Sequence, residues 1–338
     1  MNFDQNTHTY IIAEIGTNHG GNLQKAKDLV VACAQTGVDA VKFQTWQADL
    51  LRNPWDFDET GNRYPCDVVN VLDKLTFKRE WHDIIMTLAN ELGIDFISAP
   101  FDLESARFLR DLKVPVIKIA SGDITFYELL KEVGGYGIPV ILSTGMANEE
   151  EIEEALKWLG PAYPDNVTLL HCISEYPAAV EDANLSTIPN LANKYNVPIG
   201  LSDHFMDDDP AIAAVALGAK VIEKHVTISR NDGFPDSPFA HEMSDLSSLV
   251  SRIRNIEAAL GDGKICCQPG EGEGISGGRR GIYVAVDLPS GTILEHSHLR
   301  VVRPYLGQCR PVDIDNIIGK AINKDLQDGQ PLFIEDTI

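Results

Sequence analysis

Over the first ~265 residues the chain repeats one pattern: a short, β-branched apolar run, a loop, then a longer stretch of helical period. The runs predict eight strands, at Tyr10–Ile15, Ala40–Gln44, Ile94–Ser98, Val116–Ala120, Val140–Ser143, Val167–Cys172, Ile199–Ser202 and Lys220–Lys224. Helices are predicted between them, at Leu23–Thr36, Lys78–Leu92, Leu103–Leu112, Phe126–Val133, Glu149–Trp158, Ile188–Tyr195 and Pro210–Leu217, with a last one at Ser244–Leu260. Buried runs alternating with amphipathic helices call for a parallel sheet with helices outside it. Eight such units in about 250 residues are the size of a (β/α)8 TIM barrel. An open doubly wound sheet is the alternative. The turn after the first strand, Gly16-Thr17-Asn18-His19-Gly20-Gly21, lacks the glycine spacing that such a sheet normally carries there.

After Gly261 the texture changes. Six glycines fall between Gln268 and Gly281, the mark of a flexible connector, and beyond it come short β-like pieces (Ile282–Val286, Leu299–Val302) without a long helical period. The expected organisation is a barrel over 1–265, a glycine-rich linker over 266–279 and a small, mostly β domain over 280–338. A domain of roughly 60 residues is near the lower limit for folding alone, which suggests that it docks against something.

Charge narrows the partners. Against 50 Asp and Glu stand 28 Lys and Arg, a net charge of −22. Such a field disfavours phosphate backbones and anionic lipid. An anionic small substrate remains open, provided that a few buried cations outweigh the global field locally. No apolar stretch is long enough to span a bilayer, and Met1 to Thr9 has neither the basic nor the apolar region of a signal peptide. The six cysteines include no C-x-x-C, so reduced thiols in a cytoplasm are the expectation.

In a barrel the C-terminal strand ends converge on one mouth. Read in order, they offer Glu14; Lys42 and Gln44; Ser98, with Asp102 beyond it; Lys118, Ser121 and Asp123; Ser143-Thr144; His171; Ser202-Asp203-His204; and Glu223-Lys224-His225. A lone strand-end lysine is commonly a salt-bridge partner. Lys42 and Lys118 aimed at one mouth, near Ser98, Ser121 and Ser202, would instead make a site for a multiply charged anion, phosphate plus carboxylate. Either lysine could also form a Schiff base, as in an aldolase. His204 and His225 end neighbouring strands, so their imidazoles can reach one ion, with positions left for water or substrate. That suits a labile Mn²⁺ or Mg²⁺ better than a closed zinc site. Glu14 and Asp123 are candidates for acid–base work, and Asp236, in the loop Asp232–Pro238, for binding sugar hydroxyls.

Six runs in order, Ala13-Glu14-Ile15-Gly16-Thr17-Asn18-His19, Val41-Lys42-Phe43-Gln44-Thr45, Lys118-Ile119-Ala120-Ser121-Gly122-Asp123, Ser143-Thr144-Gly145-Met146, Leu201-Ser202-Asp203-His204 and Glu223-Lys224-His225, resemble the sialic acid synthase family. Arg280–Ile338, with Val302-Arg303-Pro304, is similar to that family's antifreeze-like (SAF) domain. The resemblance implies condensation of phosphoenolpyruvate with an open-chain N-acetylmannosamine-type sugar and water, giving a nine-carbon 2-keto acid and phosphate. It implies a divalent metal, Mn²⁺ first and Mg²⁺ or Co²⁺ as alternatives, held by His204 and His225. Lys42, Lys118, Ser121 and Ser202 would grip phosphoenolpyruvate. Glu14 would lie at the reacting centre with Asp123 beside it, and Gln44, Tyr176 and Asp236 would face the sugar. Arg303 would reach over a partner subunit's barrel to the N-acyl group, which implies a homodimer.

The departures bear on the acceptor. Ala99 stands where many members place a threonine that touches phosphate, Ser174 where asparagine is common, and Ile124-Thr125-Phe126 where some N-acetylneuraminate synthases have paired asparagines. A less hydroxylated, diacetamido-trideoxy acceptor, as in legionaminic or pseudaminic acid synthesis or a spore-coat-polysaccharide-type synthase, is therefore the alternative substrate. The runs Ile15-Gly16 and Ser121-Gly122-Asp123 look less like the pseudaminic branch. Readings of other classes are a Schiff-base lyase acting through Lys118 and a non-catalytic carbohydrate-binding or ice-binding protein.

Overall fold

The computed structural model describes Phe3 and residues 8–338. The stretch Met1 to Thr9, read above as no leader, therefore lies outside the described residues apart from Phe3, His8 and Thr9. The chain forms two compact units, Met1–Gly261 and Asp262–Ile338.

The first unit is built on eight parallel strands: β1 (Tyr10–Glu14), β2 (Ala40–Thr45), β3 (Asp95–Pro100), β4 (Ile117–Ile119), β5 (Val140–Ser143), β6 (Val167–Cys172), β7 (Ile199–Asp203) and β8 (Val221–Thr227). Each pairs with the next, and β1 pairs with β8, which closes the barrel and leaves it without a free edge. Helices follow the strands: α1 (Leu23–Ala34), α2 (Arg79–Glu91), α3 (Leu103–Leu112), α4 (Tyr127–Gly134), α5 (Glu149–Leu159), α6 (Thr187–Tyr195), α7 (Asp209–Ala216) and α8 (Met243–Leu260). The TIM barrel is the architecture that the alternating pattern predicts. Differences lie at the edges: β8 continues to Thr227, so His225 sits inside a strand. The long connection after β2 adds the helices Ala48–Leu51 and Asp67–Lys74 and a hairpin of Trp55–Phe57 with Arg63–Pro65. These pieces escape a periodicity reading because they are short and, Ala48 apart, bury almost none of their apolar residues.

Strand side chains alternate between two faces. Odd-and-even partition accordingly yields two cores. Phe43, Phe96, Ile117, Leu142, Leu169, Leu201 and Ile222 point out and pack with the helices' buried stripes. Ile12, Ala40, Ile97, Val116, Ile141, Leu170 and Val221 point in and fill the barrel, with Tyr10 and Phe3. Gly200 belongs to the inner set, and a Cβ there would come within 2.3 Å of the Val221 carbonyl oxygen. Above this apolar plug, two residues further along every strand except β3, which offers Ala99, the inner face turns polar.

The helices start on local chemistry. Asn148 accepts from the Glu151 amide at 3.0 Å while Glu151 accepts from the Asn148 amide at 2.9 Å, a reciprocal cap that opens α5 beside three glutamates. Asp102 caps α3 by accepting from Ser105 N at 2.7 Å. It also accepts from Gln47 N at 3.1 Å, so this group just past β3 holds backbone in place instead of facing the mouth.

In the second unit, β9 (Gly281–Val284) pairs antiparallel with β10 (Leu299–Val302), and isolated bridges extend the arrangement over a small core of Ile282, Val284, Leu288, Leu294, Ile317, Ile322, Leu326 and Leu332. The first compact unit ends at Gly261, the residue that follows α8. The stretch read as a flexible connector over 266–279 carries a helix at Gly272–Gly278. A proline-led turn at Pro269–Glu271 precedes it, capped reciprocally by Gln268 and Glu271, and this local capping offsets the low helix propensity of the glycines. All six cysteines are free, and among the described residues no helix is long and apolar enough to cross a membrane.

Candidate active site

The polar end of the inner face brings together residues far apart in the chain. In the barrel's register, Glu14 on β1 lies level with Lys42 on β2 and with His225 on β8, and Glu223 on β8 level with Ser202 on β7. Lys42 Nζ is 2.9 Å from Glu14 Oε2 and 3.5 Å from Glu223 Oε1. Lys118 Nζ reaches the same Glu223 oxygen at 4.0 Å. Two ammonium groups thus share one carboxylate in a buried space. Lys118 also donates to Ser143 Oγ at 2.7 Å and to the Ile119 carbonyl at 2.8 Å. Ser202 donates to Glu223 Oε1 at 3.2 Å, and Gln44 Nε2 to Glu14 Oε1 at 2.6 Å.

Charge follows from this geometry. Burial alone would raise the Glu223 carboxyl, but Lys118 and Lys42, and then both imidazoles, hold it well below the usual carboxylate range. Glu14 goes the other way: burial dominates and pushes it up, against the pull of Lys42. Lys42 would be pushed down by burial, which Glu14 and Glu223 more than offset, so it stays an ammonium. Burial lowers Lys118 in spite of Glu223. Asp123, at the end of the turn Ser121–Asp123 after β4, is pushed up to about 7 by burial, with Lys118 opposing, and its Oδ2 is buried without a partner.

Beside Lys118 lies a shallow floor. Gly145 N donates to Ser121 Oγ at 3.1 Å. A Cβ at Gly145 would fall 2.2 Å from Ser174 Oγ, 2.8 Å from Ser121 Oγ and 3.1 Å from Cys172 Sγ, so only a glycine lets these groups converge. Ala99 is buried on the inner face of β3, level with Gln44, where its methyl offers no donor.

The two histidines also meet. The rings of His204 and His225 have centroids 5.5 Å apart. His204 Nδ1 lies 2.7 Å from the Ile173 carbonyl oxygen, which only accepts, so Nδ1 carries the proton and Nε2 keeps its lone pair. His225 Nδ1 is buried, without a hydrogen bond, and 3.9 Å from Asp236 Oδ2. Burial pushes His225 down to about 4, which keeps it neutral. Burial would lower His204 too, but its contacts with Cys172 and Ile173 raise it on balance. Among the described residues no three His, Cys, Asp or Glu side chains enclose a metal position, so any ion here would take at most two protein ligands from these groups. Tyr176, half exposed, lays its ring 4.2 Å from that of His204.

Asp236 enters from the loop after β8. Its Oδ2 accepts from Thr17 N at 2.7 Å, and a Cβ on Gly16, whose φ is +52°, would lie 2.3 Å from that oxygen. The loop is fastened by Ser237 Oγ donating to Asn18 Oδ1 at 2.8 Å and by Asn18 Nδ2 donating to the Val226 carbonyl at 2.8 Å.

Eleven of the twelve residues singled out for chemistry thus gather at one barrel mouth. Arg303 lies in the second unit, exposed just past β10. Several strand-end groups read as facing the mouth do not, Asp102 among them. Ser98 points outward, bonded to Thr45 Oγ1 at 2.7 Å and to the Phe43 carbonyl at 3.1 Å. His171 binds the Ala183 carbonyl at 2.7 Å, and Lys224 pairs with Asp203 on the outer face. Conversely, Glu223 and Cys172 were given no role from sequence. Counting back by two from His225 reaches Glu223, so the alternation of β8 already carried that signal.

The chain matches the NeuB family over residues 29–265 and the SAF domain over residues 279–336. It is 36% identical over 334 residues to the N,N'-diacetyllegionaminic acid synthase of Legionella pneumophila, an alignment spanning 96% of this chain and 94% of that protein. It is 30% identical to the human N-acetylneuraminate-9-phosphate synthase, over 96% and 92% of the two chains. Among solved structures, the N-acetylneuraminic acid synthetase of Leptospira borgpetersenii, in complex with citrate, superposes with a TM-score of 0.72 at 34% identity, covering 79% of this chain and 90% of that one. With this barrel, this mouth and these relatives, the chain belongs to the NeuB family and carries a SAF domain at its C-terminal end.

Proposed function

We propose that the protein condenses phosphoenolpyruvate with the open-chain aldehyde of an N-acetylmannosamine-type sugar. C3 of phosphoenolpyruvate bonds to the aldehyde carbon, water adds to C2, and the resulting tetrahedral centre expels inorganic phosphate by C–O cleavage. The product is a nine-carbon 2-keto sugar acid. The observation that carries this reading is the pair of buried ammonium groups, Lys42 and Lys118, converging on Glu223 beside two imidazoles. In this arrangement an arriving dianion takes over contacts that Glu223 makes in its absence.

Lys118, with the hydroxyls of Ser121 and Ser143, faces the phosphate, and Lys42 and Ser202 face the carboxylate. Glu14, fixed by Lys42 and Gln44, stands at the reacting centre. Asp123, largely protonated below pH 7, supplies a proton donor within the water-poor pocket. Gln44, Tyr176 and Asp236 face the sugar. His225 Nδ1, buried without a hydrogen bond, and His204 Nε2, whose contact is a long one to Ser202 Oγ at 3.5 Å, fit a divalent ion such as Mn²⁺. Bound there, the ion supplies Lewis-acid polarisation of the aldehyde oxygen. Ala99 and Ser174 leave fewer donors around the substrates than a threonine and an asparagine would, which favours a diacetamido acceptor of the legionaminic type. Arg303 is assigned to the acceptor's N-acyl group across a homodimer. Its replacement by alanine is then expected to raise the sugar KM about tenfold while leaving barrel unfolding unchanged.

The test is phosphate release from phosphoenolpyruvate over a panel of N-acetylmannosamine and diacetamido sugars with Mn²⁺, with the product identified by mass. Silence across the panel from folded, metal-loaded protein sinks the proposal. Turnover that persists in chelator, with a borohydride-trapped adduct on Lys118, would instead indicate the Schiff-base lyase.

A further inference from the structure

His225 and His204 are held in different ways. His225 lies inside β8, level with Glu14 of β1, where ladder hydrogen bonds fix its backbone. His204 lies one residue beyond β7, whose register with β8 stops at Asp203 opposite Lys224. Past that point no ladder ties the chain to β8. The His204 carbonyl accepts from Ala178 N at 3.0 Å, a bond that leads towards the loop after β6.

At that point the two strands send a charged pair to their outer face. Lys224 Nζ lies 2.9 Å from Asp203 Oδ1, both side chains being almost wholly buried. The same oxygen accepts from Phe205 N at 2.9 Å, and Lys224 donates to the Phe205 carbonyl. The residues on either side of His204 are therefore both tied to one side chain of β8, the one between Glu223 and His225. A buried ion pair is a weak source of stability compared with apolar packing of the same volume. Its position, replacing the ladder where the ladder ends, gives it a different use.

We propose that the Asp203–Lys224 pair is a positioning device, which fastens the turn Asp203–Phe205 to β8 and thereby sets the separation of the His204 and His225 imidazoles. This inference rests on the reading of those imidazoles as a metal site. Groups that orient metal ligands from behind are typically worth about 10- to 100-fold in metal affinity.

Removing one partner alone would strand a buried charge, so the informative variant is the neutral double replacement Asp203→Asn with Lys224→Met. Mn²⁺ binding without substrates, followed by electron paramagnetic resonance, is expected to weaken about tenfold or more. Binding of phosphoenolpyruvate to metal-free protein, which draws on Lys42 and Lys118, is expected to stay unchanged. Undiminished Mn²⁺ affinity in the folded double variant overturns the proposal. If that variant does not fold, Lys224→Arg keeps the charge but moves the contact, and an unaltered Mn²⁺ affinity in it is equally fatal. Imidazole nitrogen NMR of metal-free protein separates the two layers of the argument. The His204 Nδ1–H resonance is expected to shift in the variant while the ring-nitrogen resonances of His225 do not. If wild-type protein binds no Mn²⁺, the metal reading falls, and an unmoved His204 resonance then overturns the positioning role independently.

Discussion

The two faces of β7 and β8 carry the same kinds of charge in opposite states. Outside, one carboxylate meets one ammonium at 2.9 Å, with a backbone amide and a carbonyl completing the set. Inside, Glu223 is divided between Lys42 at 3.5 Å and Lys118 at 4.0 Å, while Asp123 Oδ2 and His225 Nδ1 are buried without a hydrogen bond. The outer cluster pairs its two charges one to one, and Asp203 Oδ2 alone in it is left without a hydrogen bond. The inner one holds donors and lone pairs in a low-dielectric space at a cost that only a ligand offsets. Placement on a pleated strand, one residue apart, separates structural charge from chemical charge.

Replacements on the inner face give the sharpest test of that contrast. His225→Ala is expected to reduce phosphate release by at least about a hundredfold, since it removes one of two imidazoles at the mouth. Activity within a fewfold of wild type would dissolve the distinction. Lys42→Met is expected to raise the phosphoenolpyruvate KM by about 10- to 100-fold, the worth of a charge-assisted contact, in steady-state kinetics. Asp123→Asn probes the unpartnered carboxyl through stability. The folded form holds its proton up to about 7, against an ordinary value of 3.8, so it binds more protons than the unfolded chain between those limits. Stability therefore falls as pH rises from about 4 to 7 and stays reduced above that. The asparagine variant, free of that penalty, should gain about 4 kcal/mol on wild type between pH 4 and pH 8 in denaturant titrations. A constant difference between the two proteins would show that Asp123 is solvated. Ser98→Ala, on the outer face of β3, is expected to cost about 1 kcal/mol of stability and to leave the phosphoenolpyruvate KM unchanged. A raised KM would return Ser98 to the anion site.

Legibility in the sequence follows the same division. The strands read directly because eight apolar runs, each followed by a helical period, have few other ways to be buried. Lys42, Lys118, His204 and His225 stood out because charged or titratable groups at the ends of buried strands are costly unless used. Ser98 and His171 misled for a specific reason: taking each strand's end as a single position ignored which face it occupied. Ser98 pairs with Thr45 outside, and its neighbour Ala99 faces in. Glu223, two positions before His225 on the same strand, shares its inner face.

The chain's apolar periodicity fixes that a closed parallel barrel forms, and its motifs mark which end of it is chemical, because burial patterns and backbone hydrogen bonding are local properties written residue by residue. The sharing of Glu223 between two lysines, the protonation of Asp123 and the distance between two imidazoles depend on barrel closure. Closure sets residues from β1, β2, β4, β7 and β8 side by side, and Coulomb energy depends on separation in space, which spacing along a chain does not encode.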